Sequence, residues 1–194
     1  MRKLIVTEFI SVDGVIEAPG GEPGYPHSGW TTAFDFVPEQ FQYKLDEVVE
    51  AESLLLGRKT FEGFAAAWPE RGGDEFGDKM NTMPKHVATT TLHRLDWENS
   101  SVLTGDPVGA IRTLKQADGG PILVAGSGTL AKALYAHDLV DEYRLMVFPV
   151  ILGSGQRLFP DDAVHKRTVQ LTGLQQFSNG VAVQTYAAGP ASGR

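Results

Sequence analysis

The chain has 194 residues, a length that fits one domain, and its 42% hydrophobic and 21% charged residues are typical of soluble globular proteins. Its formal net charge of −7 argues against nonspecific nucleic-acid binding, because no basic block offsets repulsion from phosphates. The absence of cysteine excludes disulfides, thiolate nucleophiles and cysteine-ligated metals, and the five histidines lack metal-ligand spacing. No apolar run approaches the ~20 residues that cross a bilayer, so we expect no membrane partner. The absence of cysteine fits a cytoplasmic protein, and the spacing of the histidines predicts no metal site.

The first part of the chain predicts a strand, a long loop and a helix. The strand covers residues 3–10, and the loop over residues 11–37 is rich in glycine and proline. Structureless loops of that length are uncommon in compact domains and often functional. A helix should run from Pro38 to Glu50, since proline is tolerated in a first helical turn. Its apolar residues at helical spacing should face the core, namely Phe41, Leu45, Val48 and Val49. Its charged residues should face water, namely Glu39, Lys44, Asp46 and Glu47.

The middle of the chain alternates strands and helices. Strands are predicted at residues 53–56 and 85–90, with a short fourth strand at Val102 and Leu103. Helices should follow over residues 57–67 and 107–116, while residues 72–83 are too polar to predict an element. This alternation favours an α/β fold.

The last third changes to antiparallel strands. A strand at residues 122–125 leads into a helix at 129–136, and a further strand covers residues 142–150. Two alternating runs, 168–177 and 181–186, flank Ser178-Asn179-Gly180, and Asn-Gly is the strongest short hairpin signal. We expect one domain over residues 1–188 and a frayed tail over residues 189–194. The apolar C-terminal strands could pair across a two-fold axis, which predicts a homodimer.

A glycine-rich turn follows the strand at residues 122–125. Gly126-Ser127-Gly128 lets the backbone approach a bulky anion, and Thr129 and Leu130 open a helix whose N–H groups favour phosphate. The spacing also fits a loose form of the dinucleotide fingerprint. Taken alone, these residues fit an ordinary tight turn equally well.

Two further segments could hold phosphate. Gly57-Arg58-Lys59-Thr60 places a guanidinium, an ammonium and a hydroxyl at a helix start, although Lys59 could equally be a solvated surface charge. Thr89, Thr90 and Thr91 end another strand with three hydroxyls, which could bond a phosphate or cap the local chain. Such strand ends meet at one edge of an α/β sheet, so the three segments together could bind an extended dinucleotide. An extra phosphate beside Arg58 would then indicate NADP(H) ahead of NAD(H).

Four segments in this order resemble the dihydrofolate reductase superfamily. They are Ser-Val-Asp-Gly-Val-Ile at residues 11–16, Leu-Leu-Leu-Gly-Arg-Lys-Thr-Phe-Glu-Gly at 54–63, Val-Ala-Gly-Ser-Gly-Thr-Leu at 124–130 and Leu-Val-Asp-Glu-Tyr-Arg-Leu at 139–145. The branch they are most similar to includes the reductase domain of riboflavin biosynthesis, the C-terminal part of a bifunctional deaminase-reductase. The resemblance implies a three-layer α/β fold with a mixed sheet of about eight strands, helices on both faces and an antiparallel C-terminal hairpin.

The resemblance also implies NADPH as the cofactor. By position it assigns Gly57, Arg58, Lys59 and Thr60 to one phosphate turn, and Gly126, Ser127, Gly128, Thr129 and Leu130 to a second. Thr90 and Thr91 match a hydroxyl pair near the adenosine phosphate. Ile16 and the loop around Asp13 match a mobile segment that closes over the nicotinamide.

The substrate signatures of both relatives are missing. Dihydrofolate reductases carry an acid near the start of the first helix, where this chain has Gln40, and the riboflavin branch has a glutamate where this chain has Ala125. A proton could come from Asp35, from Glu39 or from an ordered water. Several aromatic residues could stack on a flat substrate or simply pack together, namely Trp30, Phe34 and Phe36 with Tyr25 and Trp68.

The sequence therefore predicts an NADPH-dependent reductase of a small, heterocyclic substrate with a C=N or C=O bond. Two alternatives stay open. One is an NADP(H)-binding protein without turnover, which the substitutions at Gln40 and Ala125 permit. The other is a flavin-linked reductase with FMN stacked in the aromatic cleft.

Overall fold

The computed structural model describes residues 1–159 and 166–189. Its strands are β1 (Leu4–Ser11), β2 (Ser53–Gly57), β3 (Lys85–Ala88), β4 (Ser100–Val102), β5 (Ile122–Ala125), β6 (Glu142–Phe148), β7 (Val169–Gln176) and β8 (Ala182–Ala188). Its α-helices are α1 (Pro38–Glu50), α2 (Arg58–Ala67), α3 (Glu75–Thr82), α4 (Pro107–Gln116) and α5 (Gly128–Ala136). Apart from Gly189, the tail predicted to fray lies outside the described residues.

All eight of these strands form one sheet, in the order β4-β3-β2-β5-β1-β6-β8-β7. The six strands from β4 to β6 in that order are parallel, whereas β8 pairs antiparallel with both β6 and β7. The hairpin between β7 and β8 turns at Asn179 and Gly180, as the sequence predicts. The predicted mixed sheet with an antiparallel C-terminal hairpin is confirmed.

Helices cover both faces of the sheet. On one face, Ile111 of α4 and Leu134 of α5 pack in a core cluster with Leu4 of β1. On the other face, a second cluster joins residues from α1, α2 and α3 to the sheet, namely Val48, Phe61 and Met80 with Ile5 of β1. Successive residues of β1 thus face opposite layers, as the pleat of a strand requires. The predicted three-layer architecture is confirmed.

Helix α1 buries polar side chains that were predicted to face water, although Val48 is buried and Glu39 and Asp46 are exposed as predicted. Lys44 and Glu47, predicted to face water, have side chains that are only 14% and 1% exposed. Phe41 and Val49, predicted to face the core, are each 43% exposed. The reason is that the sheet presents a hydroxyl to this part of the helix, because Thr7 of β1 donates to Glu47 Oε2 at 2.9 Å.

Helix α3 is an element that the sequence pattern did not predict. Asp74 caps it by accepting a hydrogen bond from the Gly77 N–H at 2.8 Å, and Met80 and Met83 anchor it in the core. Glycine is required at position 77, since a Cβ there would lie 1.7 Å from the Arg71 carbonyl oxygen. Because the helix is short and mostly polar, its few apolar residues do not form a recognisable helical pattern in the sequence.

None of the helices in residues 1–159 and 166–189 is long and apolar enough to cross a membrane. The described residues also hold no group of three or more histidine, aspartate or glutamate side chains placed to bind a metal ion. In open α/β sheets, ligands bind outside the carboxyl ends of the parallel strands. Those ends are formed here by Ser11, Gly57, Ala88, Val102, Ala125 and Phe148.

Candidate functional site

The turns after β2 and β5 are joined side by side at the carboxyl edge of the sheet. The Gly57 N–H donates to Ser127 Oγ at 2.9 Å, and the Ser127 N–H donates to Thr60 Oγ1 at 2.9 Å. The Ser127 hydroxyl in turn donates to the Ala125 carbonyl oxygen at 3.1 Å. These bonds hold the first turn of α2 against the first turn of α5.

The backbone of the second turn is left-handed. Gly126 has φ +54° and Ser127 has φ +63°, a region that favours glycine. A Cβ on Gly126 would lie 3.3 Å from both Thr60 Cγ2 and Thr60 Oγ1, so the two turns meet at the glycine itself. A small residue at position 126 is thus needed for the backbone conformation and for the close approach of the two turns.

The paired helix starts form an edge that suits an anion. The first N–H groups of a helix have no intrahelical acceptor and carry a partial positive charge. The N–H groups of Gly57 and Ser127 donate to side chains across the two turns. The next N–H groups along the chain, at residues 58–59 and 128–129, belong to the first turns of the two helices. Two adjacent helix starts can therefore bind the two phosphates of a pyrophosphate.

Arg58 and Lys59 add positive charge at the start of α2. The Arg58 guanidinium lies 3.0 Å from Glu62 Oε2, one helical turn further on, and both side chains are half-exposed. Lys59 is exposed. An exposed ion pair of this kind contributes ~0.3–0.5 kcal/mol, so a bound phosphate can displace Glu62 from Arg58 at low cost.

The three threonines after β3 lie next to the start of α2. Gly57 and Ala88 are register partners, so Thr89 follows β3 where Arg58 follows β2. The Thr89 hydroxyl accepts from the Thr91 N–H at 3.2 Å and thereby folds its own loop. Thr90 and Thr91 are exposed at this edge, and the Thr91 hydroxyl lies 3.5 Å from the Thr89 hydroxyl.

The loop after β1 is tied to the loop after β6. The Ile16 N–H donates to the Gln156 carbonyl oxygen at 2.9 Å, and the Asp13 carboxylate accepts from the Gly153 N–H at 2.8 Å. The hydrogen bond from the Ser11 hydroxyl, reinforced by backbone N–H donors, lowers the pKa of Asp13 to about 2. The carboxylate is thus charged at neutral pH and holds the two loops together.

Ile16 lies against the first turn of α5. A Cβ on Gly128 would lie 2.8 Å from Ile16 Cδ1, and Ile16 and Leu130 both belong to the core cluster on that face. Of the residues predicted to bind the cofactor, Leu130 therefore packs inward, while Thr129 is exposed at the helix start. The loop that contains Ile16 therefore packs against the start of α5.

The two carboxylates predicted as proton donors lie beside the β7–β8 turn. Glu39 Oε1 accepts from the Ser178 hydroxyl at 2.6 Å, and this bond lowers the pKa of Glu39. The Asp35 carbonyl oxygen accepts from Asn179 Nδ2 at 2.7 Å. Glu39 is thus ionised at neutral pH and engaged with the hairpin, which is a poor state for a general acid.

Gln40 is fully buried and serves as a link between α1 and the sheet. Its Nε2 atom lies 3.4 Å from Met146 Sδ, and its Oε1 atom accepts a hydrogen bond from Asn179. With both ends of its amide engaged, Gln40 supports the wall of the cleft and does not present a free polar group to it.

The aromatic residues predicted to line the substrate pocket do not lie together in one place. Trp30 and Phe34 pack edge-on against Phe148, with ring centroids 5.4 and 5.6 Å apart, and belong to a core cluster below the loop. Phe36 is half-exposed and free to meet a ligand. Trp68 lies apart from them, 5.2 Å from the ring of Phe76.

Trp68 belongs to a pocket of about 480 Å³ between α1, α2 and α3. Phe41, Trp68 and Phe76 form its aromatic walls, and the Arg71 guanidinium lies 5.4 Å over the ring of Trp68. Sequence reasoning missed this pocket, because Phe41 was expected in the core and α3 was not predicted.

A buried polar cluster lies on the same side of the sheet. Lys44 Nζ donates to Thr7 Oγ1 at 3.0 Å and also contacts Glu47 Oε2, and it lies 5.5 Å over the ring of Phe9. Thr7 is the register partner of Ala125, the residue before the second phosphate turn. Sequence reasoning missed the cluster, although Gln40, Lys44 and Glu47 recur at i, i+4 and i+7 and so share one helix face.

Known proteins similar to this chain were found by sequence and by structure. The uncharacterized protein YyaP of Bacillus subtilis (strain 168) is 26% identical over 194 residues, which cover 95% of this chain and 94% of YyaP. A pyrimidine reductase-like protein from Corynebacterium diphtheriae NCTC shares the fold with a TM-score of 0.62 at 12% identity, covering 97% of this chain and 92% of that one. Dihydrofolate reductase from Enterococcus faecalis, complexed with NADP(H) and RAB-propyl, shares it with a TM-score of 0.61 at 16% identity, covering 97% of each chain.

A family model provides the assignment. The model of the RibD C-terminal domain matches residues 2–183, which include the turns after β2 and β5, the loop after β1 and helix α1. The predicted membership of the dihydrofolate reductase superfamily, in the branch of the riboflavin-biosynthesis reductase domain, is confirmed. This chain belongs to the RibD C-terminal domain family.

Proposed function

We propose that this chain is an NADPH-dependent reductase that reduces a small, heterocyclic substrate at a C=N or C=O bond. The observation that carries the proposal is the pairing of two helix starts through Gly57, Ser127 and Thr60. Membership of a reductase-like family supports it, as does the fold shared with a dihydrofolate reductase that is complexed with NADP(H).

The residues at this edge fit NADPH. The first-turn amides of α2 and α5 would bind the pyrophosphate, and Arg58 with Thr90 and Thr91 would bind the additional phosphate that distinguishes NADPH from NADH. Bound NADPH would supply the hydride. The protein's own part is to orient the two reactants and to exclude water, with the loop around Ile16 covering one side.

The substrate would bind where the pairing of β1 with β5 ends at Thr7 and Ala125, on the side of the Lys44 cluster and the pocket beside Phe41, so that the nicotinamide can reach it between the two strands. Phe36 and Phe41 offer apolar surface there, and Lys44 offers a hydrogen-bond donor beside Ala125. The hydrogen bond from Ser178 keeps Glu39 ionised. Of the proton sources predicted from the sequence, Asp35 and an ordered water therefore remain.

Single-turnover oxidation of bound NADPH tests the proposal. In a stopped-flow instrument, protein saturated with NADPH is mixed with pterins, pyrimidines, quinones and flavins in turn. We expect one of these classes to oxidise the bound NADPH at rates of ordinary enzymes, of order 1 s⁻¹ or faster. Tight NADPH binding without oxidation by any class would favour the protein without turnover, and purified protein that is yellow would favour the flavin-linked reductase.

Replacement of Arg58 by alanine should weaken NADPH binding by about 10- to 100-fold and leave NADH binding nearly unchanged. The reason is that a charge-assisted contact contributes ~1.5–3 kcal/mol, and only NADPH carries the additional phosphate. Fluorescence titration with each dinucleotide measures both affinities. The matched control is Arg112→Ala, which removes an exposed guanidinium that donates to the His137 carbonyl oxygen beyond the C-terminal end of α5, and it should change NADPH affinity by less than about 3-fold. Equal losses of NADPH and NADH affinity in Arg58→Ala would contradict the assignment.

We also propose that the chain forms a homodimer through β7. This strand lies at the edge of the sheet, and it has no charged residue, while Val169, Leu171 and Leu174 are exposed along it. Edge strands without charge pair readily with another strand. Light scattering should give twice the 21.0 kDa mass of the chain. Leu171→Lys should shift the mass to that of one chain, whereas a monomer before any substitution would refute the dimer.

A further inference from the structure

Glu8 is a buried carboxyl group that the proposed function has not yet used. It lies in the middle of β1 and is only 5% exposed. Its Oε1 atom is enclosed and has no hydrogen-bond partner among the residues that the structure describes. A buried polar atom without a partner is rare in native proteins, because its desolvation is not offset, and it requires a structural or functional explanation.

The position of Glu8 is where β1 loses one of its neighbours. Pairing of β1 with β5 ends at Thr7 and Ala125, whereas pairing with β6 continues to Ser11. Glu8 is therefore the first residue of β1 beyond the point where Gly126 turns the chain away. This part of β1 borders the phosphate turn directly.

Strand alternation decides which way the side chain points. Val6 and Ile10 belong to the core cluster on the face covered by α5, so Glu8, which lies between them, faces the same layer. Ile16 and Leu130, at the first turn of α5, belong to that cluster as well. The unpartnered carboxyl group of Glu8 thus faces the layer that contains Ile16 of the loop after β1 and Leu130 of α5, next to the proposed phosphate turn at Gly126.

The surroundings favour the neutral acid. Burial raises the pKa of Glu8 well above its usual range, and the opposing field of Lys44 is the smaller effect. A neutral carboxylic acid has one O–H donor and one carbonyl acceptor side by side. A primary carboxamide has the complementary pair, an N–H donor beside a carbonyl acceptor.

We propose that Glu8 hydrogen-bonds the primary carboxamide of a nicotinamide ring bound beside β1. The inference rests on the proposed function, since it requires that the dinucleotide lies along the phosphate turns. The carboxamide would provide the hydrogen-bond partner that Glu8 Oε1 lacks among the described residues. It also explains why a carboxyl group is kept in an otherwise apolar layer.

Two ligands separate this contact from the phosphate contacts. NADPH contains the carboxamide, whereas 2′-phosphoadenosine 5′-diphosphoribose has all the phosphates and lacks the nicotinamide ring. Calorimetric titration of Glu8→Leu should show NADPH affinity reduced by about 10-fold or more, and affinity for the second ligand changed by less than about 2-fold. Glu8→Gln, which keeps a donor beside an acceptor, should stay within about 3-fold of the unsubstituted protein for both ligands. Glu8→Leu should also raise the melting temperature of the ligand-free protein, because it removes an unsatisfied buried group.

A measurement on the unsubstituted protein makes the test independent of how the variants fold. The 3-acetylpyridine analogue of NADPH has a methyl group in place of the carboxamide nitrogen, and it should bind about 5-fold or more weakly than NADPH. Equal affinities for these two dinucleotides would overturn the role of Glu8. Equal losses for both ligands in Glu8→Leu, or no loss of NADPH affinity, would overturn it as well. Failure of the unsubstituted protein to bind either phosphate ligand would instead refute the proposed function and the role of Glu8 with it.

Discussion

Valine at position 126 should weaken NADPH binding by about 100-fold or more. Gly126 has φ +54°, and a Cβ there would already lie 3.3 Å from the Thr60 side chain. A β-branched residue is strongly disfavoured at positive φ, so the turn should change conformation and carry the Ser127 amide and the start of α5 away from α2. Both helix starts contribute to the proposed site, so moving them apart should remove phosphate contacts from it. Fluorescence titration with NADPH measures the loss of affinity.

Gly105→Val is the matched control for Gly126→Val. Gly105 also has a positive φ, +79°, but a Cβ there would have nothing within 4 Å, and the residue lies in the turn before α4. Both substitutions should therefore cost ~1–3 kcal/mol of stability through backbone strain. Only Gly126→Val should lose NADPH affinity. If both variants keep it, or both lose it, the joined turns are not the binding site.

Replacement of Lys85 by methionine should reduce the free energy of unfolding by about 3 kcal/mol. Lys85 is fully buried, and its ammonium donates to the carbonyl oxygens of Asn81, Met83 and Glu98 at 2.7, 2.9 and 3.0 Å. It also lies 4.2 Å over the ring of Trp97. Methionine fills similar volume but leaves three buried carbonyls without a donor, and each unsatisfied group costs ~1–3 kcal/mol. Urea unfolding gives the difference.

The same substitution has a pH signature. Burial lowers the pKa of Lys85 to about 8, against 10.5 for the ordinary side chain. Between pH 8 and 10.5 the Lys85 side chain binds the proton more tightly in the unfolded chain than in the folded protein. The contribution of Lys85 to the free energy of unfolding should therefore increase as the pH rises from 8 to 10.5. The difference between the protein and Lys85→Met should show that component, because other titrating groups cancel. Exposed Lys59→Met should change stability by no more than about 0.5 kcal/mol at any of these pH values, and the same loss in both variants would contradict the role of Lys85.

The elements that the sequence predicted well carry local signals. Pro38 and Pro107 mark the starts of α1 and α4, and Asn179-Gly180 marks the β7–β8 turn. Helix α3 was missed because it has eight residues and a glycine at its third position. Its signals were present nevertheless: Asp74 as a capping residue, and apolar side chains four and seven residues after Phe76.

The features that the sequence could not show depend on partners distant along the chain. The burial of Lys44 and Glu47 on α1 was not predicted because both contact Thr7, which lies 37 and 40 residues away along the chain. Gln40 likewise bonds to Asn179, 139 residues away. The turns after β2 and β5 were each predicted from their own glycine and strand, but their direct contact arises because β2 and β5 are neighbours in the sheet.

A crystal structure of the protein grown with saturating NADPH tests the proposed site most directly. We expect pyrophosphate oxygens within ~3 Å of first-turn N–H groups of both α2 and α5, and the additional phosphate beside Arg58. Density for the dinucleotide in the pocket of Phe41, Trp68 and Phe76, or no dinucleotide at either place, would contradict the proposal that the joined turns bind NADPH.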